Sequence, residues 1–182
     1  AQYLTALYQL AKAAVEKEDY AEAKELLLRA VGEYPHNLGE GKLESGQENN
    51  LYYLLGLVQE KLGEAKDAFE SLTRACCGES DPVGMMYYND QPPEMIYYQG
   101  LAYRMLGEEE QAVRRFQKLV DYGREHIRDD VKIDYFAVSL PDLLIFEENL
   151  NERNRKHCLF MMSLGLKGLG RIDEAEKCAE EL

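Results

Sequence analysis

Tryptophan is absent from the 182 residues, histidine occurs three times and cysteine four. No apolar run approaches the ~20 residues that span a bilayer, and no charged-then-apolar leader precedes Tyr3. The chain therefore reads as soluble. His36, His126 and His157 are too scattered for a metal-ligand spacing such as HExxH, so no metal is assigned. Cys76, Cys77, Cys158 and Cys178 make neither a CxxC redox pair nor a zinc knuckle, and all four are expected to be reduced and buried. Cations are also few, with 21 Lys and Arg against 34 Asp and Glu, for a formal net charge of −13. A phosphate backbone or an anionic membrane surface is repelled by that balance, which disfavours nucleic acid and membrane as partners. Neither a GxSxG elbow, a phosphate-cradling glycine loop nor a nucleophilic Cys/His order is present, so no catalytic residue, no cofactor and no enzyme activity is assigned.

What the chain does contain is recurrence. The stretch from Tyr52 to Ala75 reads as two short helices joined at Leu62-Gly63, with small residues at Gly56 and Ala68 allowing close approach and Leu55, Leu72 and Phe69 filling the seam. A pair this short cannot bury its apolar stripe alone and predicts an array. The same spacing recurs: a turn residue followed five positions later by alanine, at Glu18 and Ala23, Gly63 and Ala68, Gly107 and Ala112, Gly170 and Ala175. Seven positions before each turn stands Ala11, Gly56, Gly100 or Ser163, and four beyond each alanine comes Leu27, Leu72, Phe116 or Ala179.

By this register, closed in the first copy by Pro35, the chain resembles the tetratricopeptide repeat family. The family's tryptophan slot holds Leu7, Tyr52, Ile96 and Leu159. The resemblance implies an all-α fold: a right-handed superhelix of about four helix pairs, with units near 4–35, 49–77, 93–122 and 156–182. It also implies that the slot three positions before each small residue looks into a concave groove. That slot holds Tyr8, Tyr53, Tyr97 and Phe160, and the slot after each small residue holds Lys12, Leu57, Leu101 and Leu164. Rings supply large contact area at little entropic cost, which suits a binding surface. The lysine and asparagine pattern by which some members grip a C-terminal carboxylate is missing, since its first slots hold Tyr8 and Lys12.

Insertions break the array at 36–48, 78–92 and 123–155. The first carries three glycines; the second carries Gly78, Pro82 and Gly84 and the apolar patch Met85 to Tyr88; the third is long enough for an extra helix, opened by Ser139 to Asp142 and continued through Leu143 to Leu150. Val131, Ile133 and Tyr135 alternate there as an extended or helical linker. Asp19 is placed to cap the second helix, and Pro92-Pro93 suit the first turn of the fifth. Asn49, Asn50, Asn89, Asp90, Glu94, Asp134, Asp142, Arg153 and His157 flank the insertions, either as caps and loop hydrogen bonders or as a pocket; Asn50, Glu94 and His157 join the groove set. The segments 38–43, 88–94 and 134–142 are similar to the C-terminal repeat region of large bacterial proteins with an uncharacterised, carbohydrate-associated N-terminal domain. This second resemblance implies a bacterial, cytoplasmic protein and supplies no catalytic residue. With Ala1-Gln2 at the start and a helix running to the end, the chain is expected to be one repeat domain cut from a longer protein. The expected function is a non-catalytic module that binds a peptide or a neighbouring domain of its own chain. The alternatives are an accessory ligand-binding region of a carbohydrate-active protein and a homo-oligomerisation module, a homodimer in its simplest form.

Overall fold

The computed structural model describes residues 2–32, 47–84, 90–132 and 149–182. Among the described residues there are eight α-helices and no strand: α1 Gln2–Glu16, α2 Tyr20–Gly32, α3 Asn49–Lys61, α4 Ala65–Ala75, α5 Pro93–Met105, α6 Glu109–His126, α7 Leu150–Gly168 and α8 Ile172–Glu180. They fall into the four expected pairs. The backbone divides into two compact units, one of Ala1–Gly78 with Leu101–Glu108 and one of Glu79–Gly100 with Glu109–Leu182.

Every pair closes with the same device. Glu18, Gly63, Gly107 and Gly170 adopt φ of 61°, 78°, 81° and 75°. The amide that follows each of them donates to the carbonyl five residues back: Asp19 to Ala14, Glu64 to Gln59, Glu108 to Tyr103 and Arg171 to Leu166. A left-handed residue with this bond satisfies the last carbonyls of the first helix and reverses the chain. Asp19 caps α2 as expected, its Oδ1 accepting from the Glu22 amide at 3.1 Å. Five positions past each turn the marker alanine is buried, at 0%, 4%, 0% and 7% exposure for Ala23, Ala68, Ala112 and Ala175.

In the first unit, Leu7, Ala11 and Ala14 of α1 form a stripe at i, i+4 and i+7 that packs with Ala23, Leu27 and Ala30 of α2 and Leu51, Leu54, Leu55 and Val58 of α3. Small side chains set the helix separation. A Cβ added at Gly56 would lie 2.7 Å from Leu72 Cγ and 3.3 Å from the Ala68 carbonyl oxygen. Leu55 and Leu72 fill the seam as expected, but Phe69 does not: it is 61% exposed. The buried residues of α4 are Ala68, Ser71, Leu72 and Ala75, and one step of about 100° carries Phe69 off that stripe. Within the seam the Ser71 hydroxyl donates to Gln59 Oε1 at 2.7 Å, both side chains being buried.

The second unit is built around Phe116, which is fully buried. A Cβ at Gly100 or Gly168 would overlap its ring, and one at Gly165 would stand 2.5 Å from its carbonyl oxygen. Gly123 of α6 likewise faces Met162 Cγ at 2.5 Å and the Cys158 carbonyl at 2.7 Å. Close approach of α7 Leu150–Gly168 to α6 thus falls to Gly123, Gly165 and Gly168. Ser163 is half-buried and returns its hydroxyl to the Phe160 carbonyl at 2.8 Å. Pro93 opens α5, where its missing amide proton costs nothing.

Cys76 and Cys158 are buried, whereas Cys178 is half-buried and Cys77, beyond the end of α4, is exposed. All four are free. The expectation of burial thus fails at Cys77, whose Sγ donates to the Thr73 carbonyl at 3.4 Å. The Met85 to Tyr88 patch, Asn89, the Ile133 and Tyr135 alternation and the extra helix to 148 lie outside the described residues, as does most of the first insertion.

Candidate functional site

Helical register gives each first helix one stripe. Tyr8 and Lys12 lie one turn apart on α1; Asn50, Tyr53 and Leu57 follow at i, i+3 and i+7 on α3; Glu94, Tyr97 and Leu101 do so on α5, and His157, Phe160 and Leu164 on α7. Lys12 is exposed and every other member of the set is half-buried. In the first unit Tyr8 and Leu57 rest on the same core cluster, and Tyr53 rests on Leu72, Ala75, Cys76 and Ala102. The Lys12 ammonium stands 5.8 Å from the centroid of the Tyr8 ring, within cation–π range. In the second unit Tyr97 and Leu164 share the cluster of Ile96, Leu119 and Met161. Tyr97 also packs edge-on against Tyr98 and tilted against Phe116, with centroids 5.8 and 5.6 Å away.

A polar group gathers beside the α7 stripe. His157 Nε2 lies 2.8 Å from the Val83 carbonyl oxygen, a contact that only a donor nitrogen makes. Burial pushes its pKa below the usual histidine value; the hydrogen bond to Val83 and the charges of Glu94 and Asp90 oppose that shift, and Arg153 adds to it. Asp90, Glu94, Arg153 and His157 are thus brought into one electrostatic neighbourhood. Asp134 and Asp142 of the flanking set lie outside the described residues. Among the described residues no group of three or more His, Cys, Asp or Glu is placed to hold a metal ion.

Asn49 proves to be a capping residue. Its Nδ2 donates to the carbonyls of Ala75 and Cys77 at 2.8 and 2.7 Å, terminating α4 from 26 residues away. Asn154 does the same for α6, donating to the His126 carbonyl at 2.7 Å. Sequence reading missed that second cap. The only signal was its place near the start of a first helix, as for Asn49.

Sequence reading also missed the grip on segment 79–84. The Glu79 carbonyl accepts from Gln91 Nε2 at 2.5 Å and from Gln99 Nε2 at 2.8 Å, while Gln99 Oε1 accepts from Arg115 at 3.1 Å. Lys118 Nζ donates to Ser80 Oγ at 3.1 Å and to Asp81 Oδ1 at 2.6 Å, and that bond holds the Asp81 carboxyl below the usual range.

Paired helices with buried marker alanines, left-handed turns at fixed offsets and small residues at the crossings define a helical repeat protein. Residues 5–37 and 94–122 match the family model of the tetratricopeptide repeat, so these two stretches are similar to that repeat. Repeats of this family make a scaffold for protein–protein interaction. Two crystal structures of MamA are similar to it at 20% identity, covering 98% of this chain and 75% and 70% of their own, with a TM-score of 0.36 in each. Among the described residues no helix is long and apolar enough to cross a membrane.

Proposed function

We propose that the chain is a non-catalytic binding module whose first-helix stripes hold a peptide or a neighbouring domain. One observation carries this reading. Tyr8, Tyr53, Tyr97 and Phe160 occupy one slot in four successive first helices and are all half-buried, neither withdrawn into the core nor fully solvated. A ring held at its base by packing presents its remaining face without further loss of rotamer freedom, which is how anchoring aromatics concentrate binding energy. The second resemblance favours a module that forms part of a longer bacterial, cytoplasmic protein.

The test uses Tyr53→Ala with Phe160→Ala, which spares Tyr97 because that ring packs on the core residue Phe116. Peptides selected from a display library on the wild-type chain, or partners captured with it, should lose about 2–4 kcal/mol of affinity for the double variant, with its circular dichroism unchanged. Unaltered affinity in a folded variant removes the reading. Light scattering at micromolar concentration separates it from self-assembly, which requires a dimer there.

A further inference from the structure

Segment 79–84 has no helix or strand of its own, yet side chains from three helices of the second unit hold it. Gln99 of α5 takes its first carbonyl, Lys118 of α6 takes the Ser80 hydroxyl and the Asp81 carboxylate, and His157 of α7 takes the Val83 carbonyl. Carbonyls held by side-chain donors, a carboxylate on a cation and a backbone stiffened by Pro82 are also the means by which an extended peptide is held on a protein surface. The last of these contacts falls on His157, the first residue of the stripe that continues through Phe160 and Leu164. We propose that segment 79–84 is an internal ligand of this stripe, occupying the donor that a partner's main chain would use, and that an acidic extended peptide displaces it.

The contact is built to be released. Asp81 is 78% exposed and Lys118 is 38% exposed, and ion pairs so placed hold weakly in water. Their chemistry also names the competitor. A peptide that carries a carboxylate two residues before an apolar residue reproduces Asp81 and Val83, and would satisfy Lys118 and His157 in the same way. Lys118 is not alone: Arg114 and Arg115 join it, with Gln111, Gln117 and Asp121, around a hollow of about 360 Å³ on α6. With Arg114 paired to Glu110 and Asp121 lining the same hollow, Arg115 and Lys118 leave a small cationic excess on a chain of net charge −13, which favours an acidic segment over a basic one. Being tethered, segment 79–84 competes at the millimolar effective concentration typical of short linkers, which lowers the apparent affinity for any partner.

This inference rests on the binding role of the stripes, and the experiment separates the two. Peptides are selected from a display library on a full-length variant with Ser80→Gly, Asp81→Ser, Pro82→Gly and Val83→Ser, then titrated against that variant, the wild-type chain and Asp81→Ala. The last keeps the backbone and guards against misfolding of the first. The expected result is acidic peptides that bind the fourfold variant about tenfold more tightly than the wild type, with Asp81→Ala in between. A synthetic peptide of residues 78–84 should compete with them. Equal affinity for all three chains overturns the internal ligand and leaves the binding role standing. Selected peptides that are basic or apolar, or that residues 78–84 fail to displace, also overturn it. Failure to select any peptide on any chain removes the binding role and the inference together.

Discussion

Glu18 occupies the turn position that Gly63, Gly107 and Gly170 fill in the other pairs, at φ 61° against 78°, 81° and 75°. An L-residue there brings its Cβ against the following carbonyl, at a cost of about 1–2 kcal/mol that glycine avoids. Glycine in turn gives the unfolded chain more freedom, worth about 0.4–1 kcal/mol in the opposite sense. Glu18→Gly should therefore stabilise the chain by about 0.5–1 kcal/mol, a rise in melting temperature of about 1–4 °C for a protein of this size. Gly107→Ala is the mirror experiment. A Cβ there meets nothing within 4 Å, so any loss reports backbone strain alone, again about 0.5–1 kcal/mol. Gly100→Ala is the contrast, because its Cβ overlaps the buried Phe116 ring and overpacking costs about 1–3 kcal/mol. Thermal and urea unfolding of the three variants check the set. Destabilisation by Glu18→Gly, or equal losses at Gly107 and Gly100, would refute the reasoning.

Two further outcomes follow from the titratable groups. Burial holds His157 below its unfolded pKa of about 6.5, so its contribution is present above that pH and is lost as pH falls through the native value. Urea midpoints measured from pH 8 to 5 should fall more steeply for the wild type than for His157→Gln, which keeps a donor for the Val83 carbonyl; parallel curves would discount the shift. Burial also raises the Cys158 thiol to about 11, while Cys77 is exposed. A thiol reagent at pH 8 should therefore label Cys77 first and Cys158 only on unfolding, and mass mapping that finds Cys158 modified in the native protein contradicts its placement.

The helix pairs were legible because steric demands repeat locally. A crossing needs a small residue and a reversal needs a left-handed one, and both stand at fixed offsets from Ala23, Ala68, Ala112 and Ala175. The misread residues depend on finer or longer-range geometry. Phe69 sits one residue off a stripe in an 11-residue helix, a distance that a seam argument does not resolve. Gly123, Gly165 and Gly168 mark the crossing of α6 and α7, whose elements are separated by an insertion that no repeat register bridges. The aromatic slots of the candidate site were visible for the same local reason as the pairs. The grip of His157 on Val83 spans 74 residues and that of Lys118 on Asp81 spans 37, and neither leaves a pattern within a helical window.

The hairpin turn has an implication for how such a chain changes length. Alanine follows the small residue by twelve positions in every copy, whereas successive turns lie 45, 44 and 63 residues apart. The reversal inside a pair is fixed by one backbone conformation and one five-residue hydrogen bond, so a single added residue would unseat both helices. The connections between pairs differ in length from copy to copy, and lengthening one costs only slowly growing closure entropy. Anyone grafting a recognition loop onto this scaffold should cut after α2 or α6 and leave untouched both the four tight reversals and the gripped segment 79–84 after α4.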